Sequence, residues 1–407
     1  MRRFISLFLI ITLLLPCLIG CQPASTKIPS TIDSSAGFTE FDGNLIAYLH
    51  NEHASENFMV SPASLKMALL LAAAGANGNT LDEMLEVVGY ENLDDYIAWA
   101  ASVNAFEDSA NQYFADKKNN KWTDKNYNAE FAIANGIWHN TDQPGVFLDS
   151  YKARIEQLGG TFDELPGDEL KDAINNWINE QTRGMIPELF QGSLAQKSNV
   201  LVNTLYLKNH WSLPFDEDDT KEGDFTTING SVVTKEMMEQ TDSFEYYGDR
   251  NCQVLILHMD GGFNMAIVLG DNSDIISKLN KASTEDVHVV LPKFEIDSMF
   301  EEELKQFLIE SGIVDAFVYG ATSDFSNMMD SDVVISDVMQ KTKLEVNESG
   351  LKAAAVTAIT MEPDGIAPGI PKRPIDFIAD KPFTFYIYAE SDELASPELL
   401  FYGQYVK

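Results

Sequence analysis

The chain has 407 residues, 45% of them apolar, with 28 basic against 63 acidic side chains and a formal charge of −35. This is enough apolar material for a large core, and no repeat at solenoid periods is present. A surface so negative repels a phosphate backbone, so nucleic acid is excluded as a natural partner. The acidity favours solubility first and the steering of basic proteins second.

Arg2-Arg3 precede an almost unbroken apolar run over residues 4–19, the pattern of a targeting segment. The run closes on Leu18-Ile19-Gly20-Cys21, which resembles a bacterial lipobox. That resemblance implies cleavage before Cys21, lipid on its thiol, and a protein held at an extracytoplasmic membrane surface through the lipid alone. An uncleaved anchor or a plain secretory signal is the alternative. Residues 22–35 are polar with two prolines and read as a tether. The expected division is a lipoprotein signal over 1–20, a tether over 21–37 and a single domain over 38–407. Cys17 leaves with the signal, so Cys252 stands alone and no internal disulfide is expected. Cys252 reads as a buried strand residue with no neighbour to activate its thiol.

Phe38, Phe41, Leu45, Tyr48 and Leu49 have helical spacing and predict a first helix ending near His53. Asn57 to Ser64 reads as a short strand entering a helix, with Ser61 as N-cap and Pro62 in the first turn. Residues 65–74 are too uniformly apolar for a surface helix. A strand is predicted over 131–138, a helix over 148–158, a strand at 161–163, an amphipathic helix over 172–183 and an apolar strand over 200–207. Strands follow at 236–240, 253–258 and 263–269, the last two around Gly261-Gly262. Residues 287–296 read as strand and 300–311 as helix.

Residues 345–383 have the most distinctive composition. Leu351, Ala353, Ala355, Thr357 and Ile359 alternate with Lys352, Ala354, Val356, Ala358 and Thr360, as in a strand. Pro363, Gly365, Pro368, Gly369, Pro371 and Pro374 then break any regular element, so an exposed, protease-accessible loop follows. VNESG at 346–350, the alanine-rich stretch and FIADKPF at 377–383 closely resemble the reactive-centre region of the serpins. Other motifs follow in the same order as in that family: the SPAS segment at 61–64, INNWINEQTRG at 174–184, LVNTLYLKNHW at 201–211, VHVVLPKFEI at 287–296, DFSNM at 324–328 and LFYG at 400–403. Gly270 stands where the family has proline. The resemblance covers about residues 38–407.

The resemblance implies an α+β fold with a mixed main sheet, two further sheets, about eight or nine helices and an exposed reactive-centre loop. It implies a monomeric inhibitor, not an enzyme. A serine or cysteine protease cuts the loop and is trapped as an acyl-enzyme, in a covalent complex, while the freed hinge inserts into the main sheet. The hinge is then Glu348, Gly350, Leu351, Ala353, Ala354, Ala355 and Thr357. The sheet-opening region is Ser61, Ser64, Asn203, Trp211 and Gln340. Counting seventeen residues from Glu348, as the family's hinge spacing implies, selects Asp364-Gly365 as the reactive bond. Ile366-Ala367 and Lys372-Arg373 are the alternatives in a loop several residues longer than usual. Three further residues depart from the family pattern. Leu351 replaces a small polar residue, Lys352 replaces a glutamate, and Gln340 replaces a histidine. The alternative function is a non-inhibitory member of the family acting as a binding or structural surface protein.

No other chemistry competes. HExxH, GxSxG and P-loop patterns are absent. His50 and His53 are three apart on a helix without a third ligand in sequence. No cofactor or metal is expected.

Overall fold

The structure is a computed structural model and describes residues 31–121, 123, 126–318, 322–351 and 373–407. Cys21, Lys352, Ala353, Ala354, Ala355, Thr357, Asp364, Gly365, Ile366, Ala367 and Lys372 lie outside the described residues.

Local chemistry starts the N-terminal helices. In α1 (Glu40–Glu52) the Thr39 hydroxyl accepts from the Asp42 N–H, and the Asp42 carboxylate accepts from the Thr39 N–H. This reciprocal cap satisfies two donors that the first helical turn leaves free. After strand β1 (Phe58–Val60), Ser61 caps α2 (Pro62–Ala73) by accepting from the Ser64 N–H at 3.2 Å, and Pro62 occupies the first turn. All twelve residues of α2 are buried. Among them is Lys66, whose ammonium lies 2.8 Å from Glu398 and 3.4 Å from Asp42. Burial works against that charge, but Asp42 and Glu398 outweigh it and raise the Lys66 pKa. Helices α3 (Gly78–Val88) and α4 (Leu93–Asn119) follow. The sequence reading did not assign α4, the longest helix described.

The main sheet has six strands in the order β10-β11-β12-β4-β2-β3. They are β2 (Glu130–Asn140), β3 (Thr161–Leu165), β4 (Asn199–His210), β10 (Phe294–Phe300), β11 (Ile335–Asn347) and β12 (Gly350–Leu351). The sheet is mixed: β2 runs parallel to β3 and β4 parallel to β11, while β2–β4 and β10–β11 are antiparallel. Helix α2 packs against β2 and β4, behind the centre of this sheet. Helices α5 (Asp149–Gln157) and α6 (Gly167–Gln181) flank β3, and α6 contacts β2 and β4.

The remaining strands are β5 (Lys221–Thr226), β6 (Val232–Gly248), β7 (Cys252–His258), β8 (Phe263–Gly270), β9 (Ser283–Pro292), β13 (Ile375–Ile378), β14 (Phe383–Ala389) and β15 (Glu398–Tyr405). With β1 they form one nine-stranded sheet. The two further sheets expected from the resemblance are continuous here through β6. That strand is 17 residues long and pairs in turn with β5, β9 and β7. Helix α7 (Ile275–Leu279) follows β8, and α8 (Glu302–Ser311) follows β10. Phe300, read from sequence as helical, closes β10 instead. The α+β class stands, with eight α-helices among the described residues.

Gly270 ends β8 at φ +100°. Proline is locked near −65°, so this backbone is closed to the residue found there in the wider family. Cys252 is fully buried at the start of β7, and burial pushes its thiol pKa up to about 11. That is the opposite of an activated nucleophile. Among the described residues no helix is long and apolar enough to cross a membrane.

Candidate functional site

The site is a seam between β11 and β4. In its lower half the strands pair directly and in parallel, from Ile335 opposite Asn199 to Gln340 opposite Asn203. At its upper end β12 sits between them. Gly350 lies opposite Asn347 on one side and His210 on the other; Leu351 lies opposite Val346 and Asn209. Between these two levels, over 341–345 on β11 and 204–208 on β4, no ladder joins the strands among the described residues. Both levels keep one register, since Gln340–Asn203 and Val346–Asn209 are each six residues apart on both strands. A strand entering at β12 and running down the seam would therefore meet both edges in phase.

Four of the five residues expected to open the sheet meet at the foot of this gap. The Gln340 Oε1 accepts from the Ser61 N–H at 2.7 Å, and its Nε2 donates to the Ser61 carbonyl at 2.9 Å and to Asn203 Oδ1 at 3.1 Å. Asn203 Nδ2 donates to the Ser64 carbonyl and, at 2.9 Å, to Asn135 Oδ1. All five side chains are buried. An amide carries both a donor and an acceptor, so Gln340 satisfies both backbone groups of Ser61 at once. This is how the bonding differs where the family has histidine. Asn135, on β2, belongs to the cluster and was not singled out in the sequence. Ser64 Oγ is buried and has no hydrogen-bond partner among the described residues.

Trp211, the fifth, lies at the other end of the seam. Its indole N–H donates to the Asn347 carbonyl at 2.9 Å, and its backbone N–H to the Ser349 carbonyl at 3.0 Å. It steadies the turn that delivers β12. Glu348, in the same turn, accepts from the Thr220 hydroxyl at 2.8 Å and pairs with Lys293 at 3.2 Å, while its carbonyl accepts from the Phe215 N–H. Burial alone would raise the Glu348 pKa, but a backbone hydrogen bond, Thr220 and Lys293 outweigh it and hold the carboxyl below its ordinary value. Thr220 and Lys293 were missed as partners of Glu348. Lys293 sits within the VHVVLPKFEI motif, so its position was visible but not its role.

Gly350 is required by geometry. Its φ is +144°, and a Cβ there would come within 2.1 Å of the Asn209 carbonyl oxygen. Leu351, large where the family has a small polar residue, is already buried between Val346 and Asn209 at 1% exposure. Along β11, Thr342, Leu344 and Val346 point inward and Lys341, Lys343 and Glu345 do not. The inner face of the seam is thus apolar or hydroxyl-bearing.

Of the reactive-bond residues only Arg373 is described; it pairs with Asp376 at 2.9 Å just before β13. The two histidines weighed as metal ligands have other partners. His50 Nδ1 hydrogen-bonds Gln404 at 2.8 Å, and His53 lies near Glu56 and Glu303.

Comparison with known proteins agrees with this architecture. The model of the family described as serpin (serine protease inhibitor) matches residues 36–407. The leukocyte elastase inhibitor of Xenopus tropicalis is 30% identical over 397 residues, covering 91% of this chain and 98% of its own. A serpin-like protein of Thermococcus kodakarensis is 29% identical across 95% of this chain and 96% of its own. Among solved structures, Serpin48 of the insect Tenebrio molitor superposes with a TM-score of 0.72 at 25% identity, over 92% of this chain and 96% of its own. The thermophilic serpin Tengpin in its native state shares the fold at a TM-score of 0.73 and 22% identity, over 92% and 93% of the two chains. The chain is a member of the serpin family.

Proposed function

We propose that this serpin inhibits serine or cysteine proteases by inserting its cleaved loop into the main sheet and holding the acyl-enzyme. The observation that carries this is the seating of Gly350 and Leu351 between β11 and β4, above a stretch where the two strands keep register without a ladder. Continuing that register downwards brings Ala353 level with Leu344 and Leu207, Ala355 level with Thr342 and Leu205, and Thr357 level with Gln340 and Asn203. The Leu344, Thr342 and Leu205 side chains are buried, so the inward positions of the entering strand must be small. Ala353, Ala355 and Thr357 meet that demand, and Thr357 brings a hydroxyl to the level of the unpartnered Ser64 Oγ. Ala354 falls level with Lys343, which points away from the core. About fifteen inserted residues at ~3.3 Å each would carry a bound protease roughly 50 Å.

The test is a single cut. A protease panel followed by mass spectrometry locates the bond, with Asp364-Gly365 expected. The cut protein should then melt more than about 10 °C higher than the intact one, because a new central strand adds many ladder bonds of about 1 kcal/mol each. An SDS-resistant complex with the protease should form alongside. A melting point that is unchanged or lower after the cut would instead mark a non-inserting serpin with a binding role.

We also infer that Cys21 is lipidated and holds the inhibitor at a membrane surface outside the cytoplasm. The support is the Leu18-Ile19-Gly20-Cys21 sequence and the polar stretch behind it. Several acyl chains anchor stably where one does not. A Cys21→Ser chain should leave the membrane fraction; its retention there would overturn the reading.

A further inference from the structure

After residue 372 the chain enters β13, the last strand at one edge of the nine-stranded sheet. β13 has four residues and, among the described residues, pairs only with β9, in parallel, from Ile375 opposite Val287 to Ile378 opposite Val290. A short parallel edge is weakly held by its ladder alone. Phe377 is fully buried, the Ala379 N–H donates to the Val290 carbonyl at 2.8 Å, and Gln253 Nε2 donates to the Asp376 carbonyl at 3.1 Å. The one charged side chain of the strand, Asp376, lies opposite His288. His288 Nδ1 is 3.1 Å from Asp376 Oδ1, and Nε2 is 3.0 Å from Glu239 Oε1 on β6. One imidazole thus spans three neighbouring strands, β6, β9 and β13.

The two contacts select a protonation state. A carboxylate only accepts, and a neutral imidazole has one N–H and one bare lone pair. Neutral His288 can therefore donate to Asp376 or to Glu239, and its other nitrogen then faces a carboxylate oxygen, lone pair against lone pair. The imidazolium donates to both. Burial works against that charge, but the hydrogen bonds to Asp376 and Glu239 outweigh it and raise the His288 pKa above its ordinary 6.5. The other charged groups around the ring have partners of their own. Asp286, two residues back on β9, accepts from the Ser243 hydroxyl at 3.2 Å. On β6, Thr241 lies opposite His288, Asp242 accepts from the Ser243 N–H at 2.7 Å, and Glu245 is 3.8 Å from His258. Arg373, just before β13, shares Asp376 at 2.9 Å and stays charged at every pH of interest.

We propose that His288 is a proton-operated clamp on β13, closed while its imidazolium bridges Asp376 and Glu239 and slackened when the ring is neutral. The clamp's contribution is complete below the ordinary pKa of 6.5 and is lost as pH rises through the raised, folded value. The His288 side chain is 28% exposed, so protons reach it freely and solvent screens both contacts. The two flanks of residues 352–372 then respond to pH in opposite senses. Glu348, on the near flank, has its carboxyl held below the ordinary value and lets go in acid. His288, on the far flank, lets go as the proton is lost. The inhibitory reading takes its support from β11, β12 and β4, so the clamp stands whether or not the chain traps a protease.

The experiment uses the full chain, from about pH 5.5 to about pH 9, the range that brackets a raised histidine. Nuclear magnetic resonance follows the His288 ring, assigned by the signal that His288→Gln removes. Amide exchange at 375–379, compared at matched intrinsic rates, follows the strand. The ring should titrate above 6.5, and exchange should quicken roughly fivefold across the same interval, the size expected of two partly exposed contacts. His288→Gln should exchange fast at every pH and show no such step. Glu239→Gln keeps the ring and its Asp376 contact but removes one carboxylate, so the ring pKa should fall and the step should shrink. Four results would overturn the clamp. They are a ring that titrates at or below 6.5, wild-type exchange at 375–379 that stays flat, a step of equal size in His288→Gln, and a ring pKa that Glu239→Gln leaves unchanged.

Discussion

The two ends of the seam are closed by different means. The lower end has a continuous parallel ladder and a buried amide cluster in which Ser61, Asn135, Asn203 and Gln340 answer one another's donors and acceptors. The upper end is held by the two-residue β12, the Trp211 indole and the Glu348 carboxylate with its Lys293 partner, whose side chain is 31% exposed. Opening the lower end strands several buried polar groups at once, each at about 1–3 kcal/mol. Opening the upper end exposes an ion pair worth about 1 kcal/mol or less. A strand entering this sheet therefore starts at the top and meets the greatest resistance at Gln340.

The largest expected effect separates the two faces of the entering strand. Ala355→Arg would set a charged side chain level with buried Thr342 and Leu205, at a cost of several kcal/mol. The variant should be cut at the wild-type bond yet form no SDS-stable complex. Ala354→Arg, level with Lys343, should still trap the protease. Equal trapping by both variants would remove insertion as the mechanism. Equal failure of both would mean that the register extended from Leu351 is wrong.

A smaller effect tests the lower end directly. Gln340→Ala removes three hydrogen bonds and leaves the Ser61 N–H buried without its partner, while the Ser61 carbonyl keeps the Leu65 N–H at 3.1 Å. The intact protein should lose roughly 2–4 kcal/mol in urea unfolding. The same change eases the seam at its tightest level, so the gain in stability on cleavage should grow. A loss below about 0.5 kcal/mol would show that the cluster does not hold the seam.

The smallest effect belongs to the upper end. The Glu348 pKa is lower in the fold than its ordinary value of 4.5. Its contribution is therefore complete above that ordinary value and is lost as pH falls through the lower, folded value. Amide exchange at 346–351, compared at matched intrinsic rates, should quicken below about pH 4.5 by no more than the equivalent of about 1 kcal/mol. Glu348→Gln should show the faster exchange already at neutral pH and little further change on acidification. A wild-type profile that stays flat down to pH 3 would show that the pair with Lys293 does not anchor the hinge.

Much of this molecule could be read from short-range pattern. The Ser61 cap and Pro62 start of α2, the burial of that whole helix, the β7–β8 hairpin around Gly261-Gly262 and the strand leading into the hinge depend on neighbours within a few residues, where turn chemistry and periodicity act. The α4 helix was also present in the sequence. Its buried residues Tyr96, Ala100, Val103, Phe106, Ala110 and Phe114 fall at three- and four-residue steps. Two of the six are alanines, too small to mark a stripe by apolar weight. Phe300 was placed in the wrong element because aromatic residues suit a strand end as well as a helix start.

The sequence by itself determined most of the elements and the family resemblance, because each is written in contiguous residues. Only the tertiary structure decided what closes the seam. Gln340 departs from the family pattern, and no local rule says that its amide will bridge the two backbone groups of Ser61, 279 positions away in the chain. Lys293, just after β9, and Thr220, just before β5, likewise meet Glu348 only once they are brought to the turn before β12. Asp337 reads as one acid among 63 until folding buries it beside Glu301. Burial decides in each case. A polar side chain has no obligatory partner in water, and acquires one only when the packed chain removes the solvent that would otherwise satisfy it.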